Sequence, residues 1–325
     1  MKVTPPLLAS RVRVIGAGVC LALLCSCITK DVWPTWYGDT SQRPILTAEV
    51  SFTKVNGVAG RGGNLFLTLR LESGEELLFA VDTGAPLTVL DKSLARKLGR
   101  RRGTAEVFYP YYARRVRRGV YRAPALYLGT TRLQTSKWVV ADDLSPMAAG
   151  LPVRGILGMD CLRHYCLQLD FSASKMRFLD PDDLKNEGLG KAFPLSLSSG
   201  PLEVFVDENF LGAKEANSQI DTGDSSDGAL ASKLLEQALA EAQAVWTNQV
   251  KKPTGTVARR AFFPEGVFGS ETYPDLMLKP HFRNTIGLRF LARHLVTFNF
   301  PKRTMFLQRR TVGPLTEQSI PNKVP

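Results

Sequence analysis

Ala80-Val81-Asp82-Thr83-Gly84-Ala85 and Gln219-Ile220-Asp221-Thr222-Gly223-Asp224 are two versions of one short phrase, an apolar run delivering Asp-Thr-Gly. Each is followed downstream by a pair of mostly apolar residues and a glycine, Ile156-Leu157-Gly158 after the first and Thr285-Ile286-Gly287 after the second. Beyond those glycines the two halves stay in step without a gap. Met159-Asp160-Cys161-Leu162 faces Leu288-Arg289-Phe290-Leu291, Leu167–Phe171 faces Val296–Phe300, and Met176-Arg177-Phe178 faces Met305-Phe306-Leu307. A period of roughly 135 residues is far longer than the ~20–50 of a stacked repeat, so the pattern reads as duplication of a whole lobe. A lone Asp-Thr-Gly is an ordinary turn; two copies with matched companions deliver two carboxylates.

The local patterns around the phrases are those of strands and turns. Leu46–Phe52 alternates in part, and Leu65–Leu71 and Leu77–Val81 flank Glu72-Ser73-Gly74-Glu75-Glu76, a hairpin signal whose second strand runs into Asp82. Arg122–Leu128, Trp138–Ala141, Leu167–Phe171 and Val296–Phe300 read as further strands. Short helices are expected over Lys92–Leu98, closed by Gly99, and over Ser232–Ala244, where Leu234, Leu235, Ala238 and Leu239 have helical spacing. Ser196–Leu202, with Ser-Ser-Gly-Pro, marks a candidate junction. The fold class is mainly β: a first lobe over 45–190, a second over 191–311, and a loose tail over 312–325.

The phrase Ala80–Ala85 with Gly155-Ile156-Leu157-Gly158-Met159-Asp160 downstream resembles the retropepsin-type aspartic peptidases and their bacterial relatives, over about residues 45–310 taken as two copies. The resemblance implies a two-lobed, pseudo-symmetric β-barrel fold with short helices, in which each lobe donates one aspartate to a shared site as in pepsins. Asp82 and Asp221 would be the catalytic pair. Thr83 and Thr222 would bond across the interface beneath them, Gly84 and Gly223 would permit the tight turns, and Ile156, Leu157, Gly158, Ile286 and Gly287 would cradle the two loops. Hairpins over Val107–Leu128, with Tyr109, Tyr111, Tyr112 and Tyr121 around an arginine-rich turn, and over Thr254–Phe268 would cover the substrate. Two carboxyls about 3 Å apart share one proton, so the ionised one can deprotonate a water while the other protonates the scissile carbonyl. Such chemistry needs no cofactor or metal and forms no covalent intermediate.

The second copy departs from the first at Asp224, where the first has Ala85. A third carboxylate beside the pair would raise the energy of ionising it and modulate activity, or mark a lobe that no longer catalyses; turned outward, it would cap the turn at Ser225. Asp227-Gly228 adds polarity opposite Thr88-Val89-Leu90. The leading reading is therefore an aspartic endopeptidase acting on peptide or protein substrates as a monomer. The alternative is a lipid-tethered peptide-binding protein with the same fold and no turnover. An adhesive β protein would leave the matched downstream segments unexplained.

The 325 residues are 44% hydrophobic and 22% charged, enough to bury two ordinary cores. The amino terminus carries Lys2, Arg11 and Arg13, then uncharged Val14–Leu24, the pattern of a signal peptide; extended to Thr29 the run is 16 residues, short of the roughly 18–20 that cross a bilayer, so a membrane-spanning anchor is the second reading. Leu24-Cys25-Ser26-Cys27 is similar to a bacterial lipobox, which implies lipidation at Cys27, a leader over 1–27, a tether over 28–44 and a periplasm-facing lipoprotein of the cell envelope. Of the remaining thiols, Cys161 and Cys166 form a disulfide, stay as two buried free thiols, or, with His164, make a poor zinc site. The net charge of +12 concentrates in Arg96–Arg102 and Arg114–Arg122, which suits anionic lipid headgroups. Nucleic acid binding has no supporting motif.

Overall fold

The structure is a computed structural model describing residues 46–51, 63–109, 114–145, 151–185, 187–198, 202–213, 217–247, 250–251 and 257–315. The leader with Cys27, the tether, residues 316–325, and the tips of both expected covering hairpins at 110–113 and 252–256 lie outside the described residues.

The fold is mainly β. One sheet has nine strands and belongs to the first half; a second has thirteen and runs from the seam between the halves into the second half. The alternation read around Gly74 produces antiparallel strands Phe66–Leu71 and Glu76–Val81, with Leu69 opposite Leu77. Gly74 takes φ +88°, which a side chain would resist at this tight turn. Strand Glu76–Val81 then lies parallel to Val153–Leu157, with Val81 opposite Leu157. Val89–Asp91 pairs antiparallel on the other side of Val153–Leu157, with Val89 opposite Ile156. The second half repeats the arrangement: Ser218–Ile220 is parallel to Asn284–Ile286, with Ile220 opposite Ile286, and Gly228–Ala231 pairs antiparallel to it, with Ala229 opposite Thr285.

The seam is a run of six strands in the order Ala48–Ser51, Lys175–Leu179, Cys166–Asp170, His294–Asn299, Thr304–Arg309 and Lys191–Leu197. At its centre Cys166–Asp170 meets its own repeat, His294–Asn299, antiparallel, so that Gln168 stands opposite Thr297. An antiparallel pair of equivalent strands in equivalent register is what a local two-fold axis produces, and here one chain supplies both halves. Leu167, Leu169, Val296 and Phe298 are buried on this seam. Burying each such side chain stabilises by about 1.5–3 kcal/mol before the entropy of ordering the chain is counted.

Several expectations change. Lys92–Leu98 is not an α-helix: a single 3-10 turn covers Lys92–Leu94, capped by Asp91 accepting from the Ser93 amide, and the segment has only Leu94 fully buried to hold it. Ser232–Ala240 is helical, but the helix stops before Ala244 because Ala242 takes φ +57°. Arg122–Leu128 splits between the end of strand Arg114–Arg122 and strand Leu126–Leu128. The strands on either side of the candidate junction, Lys191–Leu197 and Val204–Val206, pair with Leu197 opposite Val204, and residues 199–201 between them lie outside the described residues. The tail is anchored at its start, since Leu315 is buried and the Val312 carbonyl accepts from Arg293 and Arg309. Cys161 and Cys166 are both buried and unpaired, and no metal cluster occurs among the described residues. Among them, too, no helix is long and apolar enough to cross a membrane.

Candidate active site

Asp82 and Asp221 leave the ends of their buried strands and arrive side by side. Each backbone amide is held by the strand alongside, Asp82 N–H by the Leu157 carbonyl at 3.1 Å and Asp221 N–H by the Ile286 carbonyl at 3.0 Å. Each loop folds back on its own carboxylate: Gly84 N–H donates to Asp82 Oδ1 at 2.8 Å, and Gly223 N–H to Asp221 Oδ1 at 3.0 Å. Gly158 and Gly287 close against the loops from below. Met159 N–H donates to the Ala85 carbonyl and Leu288 N–H to the Asp224 carbonyl, at 2.8 and 2.7 Å. These paired contacts also place Asp224 at the position that Ala85 holds in the first half.

The threonines join the halves. Thr83 N–H donates to Thr222 Oγ1 at 2.9 Å while Thr222 N–H donates to Thr83 Oγ1 at 3.0 Å. Each hydroxyl then donates to the strand that carries the opposite phrase, Thr83 to the Ile220 carbonyl at 2.8 Å and Thr222 to the Val81 carbonyl at 2.9 Å. All of these groups are buried, so the network is satisfied within the protein. Gly84 and Gly223 do not take positive φ, so it is not left-handed backbone that calls for glycine at these tight turns. What they supply is space: a Cβ on Gly84 would stand 2.5 Å from Asp221 Oδ1, and one on Gly223 would stand 2.6 Å from Asp82 Cγ.

The two carboxyls flank one point: a Cβ on Gly84 would lie 2.5 Å from Asp221 Oδ1 and 3.1 Å from Asp82 Oδ1. Burial pushes Asp82 above the ordinary carboxylate range, against the pull of the Gly84 and Ala85 amides and of Asp221 itself. Burial likewise pushes Asp221 well up, reinforced by the charges of Asp82 and then Asp224 and opposed by Lys279. Oδ2 of Asp82 is buried with no amide or hydroxyl donor in good geometry.

Asp224 is fully buried and does not turn outward. Its Oδ1 accepts from the Ser226 amide at 3.0 Å and the Ser226 hydroxyl at 2.7 Å, so it does cap the following turn, and its Oδ2 lies 2.8 Å from Lys279 Nζ. Burial pushes Asp224 up, but Lys279 and Ser226 together more than offset it and hold the carboxyl below its ordinary value. Lys279 carries no motif that marks it in the sequence. It lies opposite Ala229 on strand Glu271–His281, as Val140 lies opposite Val89 on strand Trp138–Asp142. Counted back from Ile156 and Thr285 the match is out of step by ten residues, whereas counted forward from Asp82 and Asp221 the two positions are in register.

A second exchange lies beneath the loops. Asp160 in the first half accepts from the Thr88 amide and hydroxyl and from the Ser136 amide. Its partner in the repeat is Arg289, and there the acid moves to the other side of the contact: Asp227 pairs with Arg289 at 3.2 Å and Arg293 at 3.3 Å and accepts from the Met277 amide. The extra polarity of Asp227 is thus structural.

The covering hairpins are partly described. Gly103–Tyr109 and Arg114–Arg122 pair as a hairpin, so the arginines sit on a strand instead of a turn. Arg115 pairs with Glu106 and Arg118 with buried Asp142. The second-half hairpin begins at Val245, earlier than the expected Thr254, where Val245–Trp246 pairs with Ala261–Phe268. Two hollows of about 380 and 370 Å³ lie in the first half, beside Arg122–Lys137 and beside Asp91 and Arg154, and contain neither aspartate of the pair.

Residues 67–161 match the family model for an aspartyl protease. That span contains the first Asp-Thr-Gly and reaches through Ile156-Leu157-Gly158 to the helix behind it. No curated protein matches the chain. Among solved structures the chain is similar to basic 7S globulin from soybean, at 12% identity over 83% of this chain and 96% of that one with a TM-score of 0.49. It is also similar to conglutin gamma, a basic 7S globulin from lupine seeds, at 11% identity over 82% and 96% with a TM-score of 0.48.

Proposed function

We propose that this protein is an aspartic endopeptidase in which Asp82 and Asp221 together activate a water against a peptide carbonyl. The observation that carries the reading is the meeting of two buried Asp-Thr-Gly carboxyls across reciprocal threonine bonds. Side by side and shielded from solvent, the pair holds one proton. The ionised carboxylate removes a proton from the water as its oxygen attacks the scissile carbon, and the protonated carboxyl gives its proton to the carbonyl oxygen. The product is an uncharged tetrahedral diol with the pair still carrying one proton. Return of a proton to the amide nitrogen lets the C–N bond break, giving a carboxylic acid and an amine. Thr83, Thr222, Gly84 and Gly223 hold the geometry, and Ile156, Leu157, Gly158, Ile286 and Gly287 support it.

The basic, lipobox-bearing amino terminus supports a protein exported to the bacterial envelope and tethered through lipid at Cys27, with lobes over 45–190 and 191–311 in one monomeric chain. Buried Asp224 favours a second reading, peptide binding without turnover, since a third charge bears on one of the two carboxyls. The test is incubation of the purified protein with a mixed peptide library across pH 3–8, beside Asp82→Asn and Asp221→Asn. Cleavage lost in both variants supports the peptidase; retention of peptides with no cleavage by any form supports the binding protein.

A further inference from the structure

In the first half, Ala85, Val140 and Ile156 belong to one buried apolar cluster beside the Asp82 loop. Backbone register assigns their repeat equivalents. Ala85 and Asp224 receive the same helix-start amide, Val140 and Lys279 lie opposite Val89 and Ala229, and Ile156 and Thr285 lie opposite those same two residues. The apolar trio of one half is therefore Asp224, Lys279 and Thr285 in the other. The ion pair spans 2.8 Å, and the Thr285 hydroxyl reaches Asp224 Oδ2 at 3.5 Å. The Asp224 side chain is fully buried and that of Lys279 is 22% exposed. A buried carboxylate carries a large desolvation penalty, and replacing such a pair with apolar residues is often neutral or stabilising. The first half shows that this fold accepts the apolar version, so stability does not account for the charges.

We propose that the Asp224–Lys279 ion pair fixes the position of the shared proton on Asp221, leaving Asp82 as the carboxylate that accepts a proton from water. The inference rests on the peptidase reading only for its last clause. Asp224 follows Asp221 in the same loop, its amide donating to the Asp221 carbonyl at 3.1 Å, so the acid of the pair belongs to the Asp221 loop while Lys279 reaches it from strand Glu271–His281. Asp224 bears on Asp221 more strongly than Lys279 does. Asp82, by contrast, answers chiefly to burial and to the amides of Gly84 and Ala85, which favour its ionised form. Of the other charged groups nearby, burial and Lys279 hold His281 down to about 4, so it is neutral through the working range. Asp227 is occupied by Arg289 and Arg293. Asp224 and Lys279 are positioning residues: they act through Asp221.

The test is a titration of the aspartate carboxyl carbons by NMR in the full protein, assigned through Asp82→Asn and Asp221→Asn. Over the plateau where the pair holds one proton, the Asp221 signal is expected at the protonated position and the Asp82 signal at the ionised one. Asp224→Ala with Lys279→Val installs the first half's own residues; it should spread the proton over both carboxyls and lower the upper titration step by roughly half to one pH unit. Lys279→Arg keeps the charge and should leave the step in place. A proton on Asp82 in the unsubstituted protein, or an upper step that does not move in the double variant, overturns the inference. The alkaline limb of kcat/KM should move with that step; a protein that titrates as expected but cleaves nothing keeps the proton assignment and loses the peptidase reading.

Discussion

Gly84 of one half lies directly against the Asp221 carboxyl of the other, so close that a Cβ there would stand 2.5 Å from Oδ1 and 2.8 Å from Cγ. The contact makes the glycine a spacer between the halves. Gly84→Ala must push the two carboxyls apart, and misplacement of about 1 Å costs on the order of 100-fold in rate. We expect Gly84→Ala to lose at least that much of kcat while the far-ultraviolet circular dichroism stays that of a β protein. Activity within tenfold of the parent would show that the carboxyls are not held by this contact.

Thr222→Val removes one hydroxyl that accepts from Thr83 N–H and donates to the Val81 carbonyl. Both partners stay buried, and leaving such groups unsatisfied costs about 1–3 kcal/mol each. Urea denaturation should show a loss in that range or above it, with Thr222→Ser recovering most of it. Thr83→Val should behave alike, because its bonds mirror those of Thr222.

Arg293 is wholly buried against wholly buried Asp227. Arg293→Met leaves the acid with Arg289 alone on its charged side, and breaking a buried pair in this way costs about 3–5 kcal/mol. Adding Asp227→Asn should return a good part of that loss. Thermal or urea unfolding of the two single variants and the double measures the coupling directly; additive losses would mean that the two do not act as a pair.

The raised carboxyl pair makes stability depend on pH. The folded pair binds protons above the ordinary carboxylate value of 3.8, up to about 7 for Asp82, where the unfolded chain has released them. Stability from this source is present at low pH and falls as pH rises through that window. His164, His281 and His294, lowered by burial to about 4 from 6.5, act in the opposite sense between those values. The diagnostic quantity is thus a difference: Asp82→Asn with Asp221→Asn should gain roughly 1–3 kcal/mol on the parent between pH 4 and 8. Parallel urea midpoints for the two proteins would contradict the raised values.

Much of the frame is legible in the sequence because the duplicated segments are in step. The spacing after Gly158 and Gly287 matches Met159–Leu162 with Leu288–Leu291, which are both helical though no helix is expected there, and it matches the two expected strands that pair at Gln168 and Thr297. Alternation around Gly74 gives the hairpin that delivers Asp82. What could not be read depends on contacts between segments far apart in the chain. Lys279 is invisible as a partner of Asp224 because nothing in the sequence brings the two together: it stands at the place of apolar Val140, and the connection after it, to Thr285, is ten residues shorter than that from Val140 to Ile156. Asp227 stands as a stray polar residue until Arg289 and Arg293 are brought to it. The seven residues Lys92–Leu98 have helical composition, but with so little of their surface buried, they form only a 3-10 turn followed by looser turns.

In the proposed peptidase Asp82 and Asp221 work as one unit. The most direct measurement is the cleavage rate of a peptide drawn from the library by the parent, Asp82→Asn, Asp221→Asn and the double variant at the parent's optimal pH. Residues that act as a unit are not additive, so each single variant should fall to the same residual rate as the double. A single variant that keeps substantial activity, or two single losses that multiply in the double, would contradict a shared pair of carboxyls.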